Sequence, residues 1–480
     1  MTTTGTSIDQ AVAKADEAFE LARAVSPARR AGWLEALGTA LEADRETLVA
    51  LAHEETHLPR PRLEGELTRT VFQLRLLAAE VARGEHLDAT VDHADPSWGM
   101  GARPDLRRVN RPLGVVAVFG ASNFPFAFSV LGGDTASALA AGCAVVHKAH
   151  PDHPQLAEQT GTLAVRALAD AGAPDGLFAL IAERDAGFPL VEHPLVKAVG
   201  FTGSTSGGRA LFDRANSRPV PIPFFGELGS TNPVFVTEAA WAARGADILR
   251  GYAASATLGM GQFCTKPGFL VLPSSADGAG DTLAEAAARA PSFGLLSGRL
   301  TDGFADAVEA LLHRPGVTEL ARLPEGDGPA SVFLTLSAHE ALADPELLEA
   351  EMFGPASVVI RDADARDRER MAAALTGQLT ASIWAEPGDD VAGLVAMLET
   401  KAGRILFNDW PTGVTVSYAQ HHGGPYPATT APATTSVGTA AIRRFVRPVA
   451  YQGFPDDLLP PELQEDNPLG LHRRVDGEWL

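Results

Sequence analysis

Leu113-Gly-Val-Val-Ala-Val-Phe119 is an apolar run without the polar alternation of a half-solvated strand. Such a strand has to be covered on both faces, the condition met in a parallel sheet sandwiched between helices. Working outward, Phe126 to Gly142 is rich in small residues and reads as a helix, and Ala144-Val-Val-His-Lys148 reads as the next strand. Ala198-Val-Gly-Phe-Thr202 repeats the pattern, followed by Gly203-Ser-Thr-Ser-Gly-Gly208 and a helical stretch from near Arg209; Val234-Phe-Val236 is a further short strand. This alternation predicts an α/β fold built on a doubly wound parallel sheet. Such sheets bind ligands at the carboxyl ends of their strands, where Lys148 lies. The 203–208 segment lacks the GxGxxG spacing, but glycines and small hydroxyls entering a helix suit a phosphate, because free N–H groups and the helix dipole converge there. Ser204 is the residue that reading selects for the contact.

A chain of 480 residues, 45% of them hydrophobic, can bury the cores of two or three domains. Its formal net charge of −21 argues against nucleic-acid and anionic-membrane partners. Residues 1 to 30 carry Asp9, Asp16, Glu17 and Glu20 with no export-type apolar segment, and no later run reaches membrane-spanning length, so a cytoplasmic location is expected. Residues 7 to 84 read as consecutive amphipathic helices; in one of them Ser26 can cap and Pro27 fits the first turn. Residues 268 to 430 continue the strand and helix alternation of a second α/β unit, and no internal repeat is present.

With two cysteines there is no disulfide framework, and each thiol is judged alone. Cys143, within Ala-Gly-Cys-Ala-Val-Val, reads as a small core hydrophobe. Cys264 sits in Gly261-Gln-Phe-Cys-Thr265, where Gly259, Gly261 and Gly268 permit the tight turns that present a thiol to a cleft. Spacing alone leaves it open between a nucleophile and a structural residue, because a thiolate needs an activating environment.

Read with Phe225-Gly-Glu-Leu-Gly-Ser-Thr-Asn-Pro233, the Cys264 segment resembles the glutamate and cysteine signatures of the aldehyde dehydrogenase superfamily. Ala121-Ser-Asn-Phe-Pro125, Val145-Val-His-Lys148, Phe201-Thr-Gly-Ser204 and Glu351-Met-Phe-Gly-Pro355 follow the family's order. The resemblance implies an aldehyde dehydrogenase-like fold. Residues 1–95 and 112–236 would form N-terminal helices and a Rossmann-like NAD(P)-binding domain, 237–430 a catalytic domain, and 96–111 with 431–480 a small β oligomerisation segment and tail. It assigns Cys264 as nucleophile and Glu227 as the base that activates water. Asn123, with the Cys264 N–H, would hold the oxyanion. Lys148 would contact the adenosine ribose, Gly203 and Ser204 the pyrophosphate, Glu351 the nicotinamide ribose and Phe353 its ring. NAD-preferring members often place a glutamate three residues after the lysine; this chain has Pro151, which favours NADP over NAD. A homodimer or homotetramer and no metal are expected.

Gln420-His-His-Gly-Gly-Pro-Tyr-Pro-Ala-Thr-Thr430, with the segments Gly120–Ser129 and Gly132–Ser137, resembles the branch of α-ketoglutaric semialdehyde (2,5-dioxovalerate) and NADP-dependent fatty aldehyde dehydrogenases. His422 then either faces the active site and assists proton transfer or packs in its loop. Arg69, on a helix resembling the family's channel lining, either grips a substrate carboxylate with two N–H groups or is a solvated helix charge. The leading expectation is oxidation of α-ketoglutaric semialdehyde to 2-oxoglutarate. One alternative is a medium or long-chain aldehyde, with Phe124, Phe126 and Phe128 lining an apolar channel. Another is a non-catalytic binding or structural protein on the same fold. Acyl transfer to coenzyme A is disfavoured by Glu227, which equips the site for water.

Overall fold

The computed structural model describes residues 7–276 and 278–480; the first six residues of the expected N-terminal unit lie outside it. Four helices, Ile8–Ala22, Pro27–Ala43, Arg45–Thr56 and Arg60–Arg83, open the chain. Ser26 accepts a hydrogen bond from the Arg29 N–H and Pro27 occupies the first turn. These helices pack their apolar faces into the same core as the first sheet.

That sheet has five parallel strands in the order 178–181, 144–148, 115–119, 196–202, 224–227. Val115–Phe119 and Ala144–Lys148 are buried at every position, as their unbroken apolar runs require. The chain winds outward in both directions from the pair 115–119 and 196–202, so the switch point lies between the ends of these strands, beside Gly120 and Gly203.

A second sheet of seven strands runs 318–322, 332–337, 356–361, 269–271, 234–236, 378–384, 402–407. Its pairs are parallel except at the 318–322 edge. A third, small sheet joins 446–452, 106–112, 90–92, 474–475 and 478–479 over its own core of Leu87, Val91, Val109, Leu459, Leu463 and Leu471.

Three segments depart from the expected boundaries. Val234–Val236 pairs with the strands 269–271 and 378–384, so it belongs with the second sheet. Thr90–Asp92 belongs to the small sheet, and Ile442 and Phe445 are buried in the first core instead of standing with the tail. Three-residue strands carry too little periodicity to choose their sheet; backbone pairing chooses it.

The chain crosses from one sheet to the other between Glu227 and Val234, and this buried crossing has to satisfy its own polar groups. Gln378 Oε1 accepts from the Thr231 N–H at 2.8 Å, the Asn232 N–H at 3.0 Å and the Ser230 hydroxyl at 2.9 Å. Asn232, held at φ 48°, donates its amide to the carbonyls of Cys264 at 2.8 Å and Lys266 at 2.9 Å. Gln378→Met should therefore leave buried donors without an acceptor, at about 1–3 kcal/mol each. Thermal unfolding should show a clear fall in Tm; an unchanged Tm would contradict this account of the crossing.

Candidate active site

Cys264 follows a turn in which Gly259, Met260 and Gly261 take φ of 60°, 57° and 64° in succession. This left-handed run turns the chain sharply out of the helix Glu238–Thr257. At Gly261 a side chain is excluded as well, because a Cβ there would lie 2.0 Å from the Gly354 carbonyl oxygen. The cysteine loop is thus seated directly against the Glu351–Pro355 motif. Lys266 reinforces the seat by donating to the carbonyls of Met352 and Ala356 at 2.5 and 2.6 Å. Asn123 Nδ2 donates to the Gln262 carbonyl at 3.1 Å, which fixes the Asn123 amide beside the cysteine.

Glu227, at the end of its strand, and His422 are buried, at 3% and 1% exposure. His422 Nε2 lies 2.8 Å from Glu227 Oε1 and 3.5 Å from Cys264 Sγ. The Ser436 hydroxyl donates to Glu227 Oε2 at 2.6 Å, and the His422 N–H donates to the Thr435 hydroxyl at 2.8 Å. The histidine therefore faces the cysteine instead of packing in its own loop. Thiol, imidazole and carboxylate make a compact set able to pass a proton, with ligand atoms all within 4.8 Å of one another. It is also the one group among the described residues with the composition and closeness a metal ion would require.

Burial alone would push the Glu227 carboxyl up, but the charge and hydrogen bond of His422, with Ser436 and the Cys264 thiol, hold it below the usual carboxylate range. The Cys264 thiol is pushed well above its ordinary value, first by burial and then by the Glu227 carboxylate. At rest the negative charge sits on Glu227 and the sulfur keeps its proton.

A cavity of about 200 Å³ opens onto Cys264 and is lined by Arg69, Phe124, Phe128, Phe263 and Val414 among others. Arg69 is partly buried. Its Nε donates to the Val414 carbonyl at 3.2 Å and its guanidinium lies 5.4 Å from the centre of the Phe128 ring. Both of its Nη atoms are enclosed and make no hydrogen bond. Arg69 is thus a cavity residue and not a solvated helix charge. Phe126, by contrast, is turned into the first core and does not line the cavity with Phe124 and Phe128.

Of the remaining expected residues, Lys148, Gly203 and Ser204 lie at strand ends of the first sheet, and Glu351 and Phe353 on the motif that seats the cysteine loop. Lys148 Nζ donates to the Ala149 carbonyl at 2.8 Å; burial and then nearby Arg184 lower its pKa. Ser204 caps the helix Thr205–Ser217, its hydroxyl accepting from the Gly207 N–H at 3.3 Å, and Gly203 precedes it. Thr202 Oγ1, at the adjoining strand end, is buried without a partner. Glu351 approaches the crossing loop so closely that a Cβ on Gly229 would come within 2.6 Å of its Oε2. Phe353, two residues on, is partly buried. An ammonium, an open helix N-terminus and an orphaned hydroxyl at a switch point fit a dinucleotide.

A model of the aldehyde dehydrogenase family matches residues 1–294. Over 98% of this chain and 91% of the relative, the sequence is 46% identical to alpha-ketoglutaric semialdehyde dehydrogenase 2 of Azospirillum brasilense. The chain belongs to the aldehyde dehydrogenase family. It is an NAD(P)-dependent oxidoreductase that converts an aldehyde to a carboxylic acid. The alpha-ketoglutaric semialdehyde dehydrogenase of Acinetobacter baylyi is 42% identical, over 98% of this chain and 91% of that one. The enzyme shares its fold with aldehyde dehydrogenase C of Pseudomonas syringae, solved as a mutant with NAD+ and octanal. The TM-score is 0.78 at 19% identity, covering 93% of this chain and 89% of the other.

Several groups in the site escape a reading of the sequence. Ser436 lies far along the chain from Glu227 and has no motif. Arg62 and Glu66 share a helix face with Arg69, and that i, i+4, i+7 spacing was the available signal. Glu66 Oε1 accepts from the backbone N–H groups of Phe126 and Ala127 at 2.8 and 2.9 Å, which ties the helix to the Asn123 loop.

If Glu227 holds the thiol up, alkylation of wild-type Cys264 by iodoacetamide should quicken with pH through pH 9.0 without levelling. Glu227→Gln should alkylate faster at neutral pH, by about tenfold for each pKa unit released. Cys143, buried and pushed up to about 11, stays silent in this assay. A plateau below that pH, or slower alkylation of the variant, would show that Glu227 does not suppress the resting thiolate.

Proposed function

We propose that the enzyme oxidises α-ketoglutaric semialdehyde to 2-oxoglutarate, with NADP as the preferred form of the cofactor. One observation carries the substrate reading: the two Nη atoms of Arg69 are enclosed, without hydrogen bonds, in the cavity that holds Cys264. A guanidinium left unpaired there is costly unless an anion completes it, and a carboxylate matches its fork. Two relatives above 40% identity are named for the same aldehyde.

The residues divide the chemistry among them. As the sulfur attacks the aldehyde carbon, its proton moves into the His422 and Glu227 pair. The developing oxyanion takes hydrogen bonds from Asn123 Nδ2 and the Cys264 N–H. Lys148, Gly203, Ser204, Glu351 and Phe353 would hold NAD(P), which would supply the hydride acceptor the oxidation needs. Once the pair has released that proton to solvent, Glu227 takes a proton from water attacking the Cys264 thioester and passes it to the departing sulfur, with Ser436 and His422 keeping the carboxylate in place. Pro151 in place of a carboxylate, with Arg184 near Lys148, favours a 2′-phosphate. The open edge of the strand Val446–Gln452, paired on one side among the described residues, supports assembly as a homodimer or homotetramer.

Steady-state kinetics of wild type and Arg69→Ala on α-ketoglutaric semialdehyde and hexanal, each with NADP and NAD, test this reading. Wild type should favour the keto acid and NADP. Arg69→Ala should lose about 10–150-fold in kcat/KM on the keto acid, the worth of a charge-assisted contact of about 1.5–3 kcal/mol, and change little on hexanal. A wild-type preference for hexanal would replace the substrate reading with a fatty aldehyde one; equal or better rates with NAD would remove the NADP preference. In a single-turnover experiment Glu227→Gln should form reduced cofactor in a burst and then stall; steady turnover at the wild-type rate would remove Glu227 from hydrolysis.

A further inference from the structure

Arg62 lies two turns before Arg69 on the same face of the helix Arg60–Arg83. Its guanidinium packs against two aromatic rings that touch each other edge to face, 5.1 Å from the centre of Phe124 and 5.0 Å from that of Phe263. Nη2 donates to the Asn123 carbonyl at 2.7 Å. Nε and Nη1 are buried and make no hydrogen bond, and among the described residues Arg62 forms no ion pair. Burial lowers its pKa, and Glu66 opposes that only in part.

The position of this side chain gives the unpaired charge its meaning. Arg62 and Phe263 line the cavity that contains Cys264, and both also line a neighbouring groove of about 500 Å³. The groove is otherwise largely apolar, with Ala254, Leu258, Ala290, Pro291 and Phe293 in its walls. The arginine therefore stands in the partition between a small reaction cavity and a larger apolar space.

We propose that Arg62 is a specificity-determining residue: its guanidinium joins Arg69 in holding an anionic substrate and closes the reaction cavity against aldehydes with long apolar tails. The anionic half of this rests on the substrate reading above. A short carboxylate-bearing aldehyde offers oxygens to the free N–H groups of both arginines while its carbonyl reaches Cys264. A long aliphatic tail would have to enter the groove past a buried cation whose nearest carboxylate, Glu66, offsets its charge without forming an ion pair. Removing the side chain withdraws one grip on the carboxylate and joins the two spaces.

The test compares kcat/KM for α-ketoglutaric semialdehyde, decanal and propanal in wild type, Arg62→Ala and Arg62→Met with the full cofactor-loaded enzyme. Arg62→Ala should fall at least tenfold on the keto acid and rise at least tenfold on decanal, with propanal within about threefold of wild type. Arg62→Met keeps the bulk without the charge, so it should lose the keto acid to a similar extent and gain less on decanal; it also serves if the alanine variant does not fold. Propanal reports the Asn123 contact, so a parallel fall on all three aldehydes would reduce Arg62 to a positioning residue and overturn the proposal. An unchanged keto acid to decanal ratio in both variants would overturn it while leaving the substrate reading intact. A wild-type preference for decanal would overturn both.

Discussion

The site depends on one crossing of the chain between two sheets. Glu227 ends the last strand of the first sheet, and seven residues later Val234 begins a strand in the middle of the second. Between them the backbone is buried and cannot be solvated, so it is tied to Gln378 on one side and, through the Asn232 amide, to the carbonyls of Cys264 and Lys266 on the other. The same hydrogen bonds that satisfy the crossing also set the distance between the cysteine loop and the carboxylate. Folding and site geometry are one constraint here, which is why the thiol and the glutamate come from different sheets yet stand in register.

Within that frame the electrostatics follow from burial. A carboxylate and a thiol packed together in a dry site cannot both be charged cheaply. His422 and Ser436 stabilise the charge on Glu227, and the cost falls on the sulfur, which stays protonated until a substrate arrives. On the proposed mechanism attack and proton transfer are coupled: the thiol becomes nucleophilic as its proton enters the imidazole and carboxylate pair, with the aldehyde already in place. The two guanidinium groups on the cavity side present the opposite sign, and neither forms an ion pair among the described residues.

Much of this was legible in the chain. The unbroken apolar runs at 113–119 and 144–148 required a sheet covered on both faces, and the motifs around Asn123, Glu227 and Cys264 marked segments that the structure brings into one place. The motif loop also held His422, but choosing between a packed and an active-site histidine needed the 3.5 Å approach to sulfur. Arg69 was visible as a residue and ambiguous as a charge, because a helix sequence does not say which face meets a cavity. Arg62 was missed for the same reason, and Ser436 because a hydroxyl donor that reaches Glu227 from far along the chain leaves no local pattern. The unit boundaries shifted where strands of three residues, 90–92 and 234–236, took their sheet from pairing and not from periodicity.

The protonated resting state of Cys264 has a consequence beyond turnover. Peroxide oxidises thiolates, not thiols, so a sulfur that keeps its proton is shielded from conversion to sulfenic acid and onward to irreversible products. The other cysteine, Cys143, is buried with its thiol donating to the Phe445 carbonyl and offers no resolving partner. If Cys264 is the nucleophile, as proposed, the neighbouring carboxylate that holds its thiol protonated is also its chemical guard.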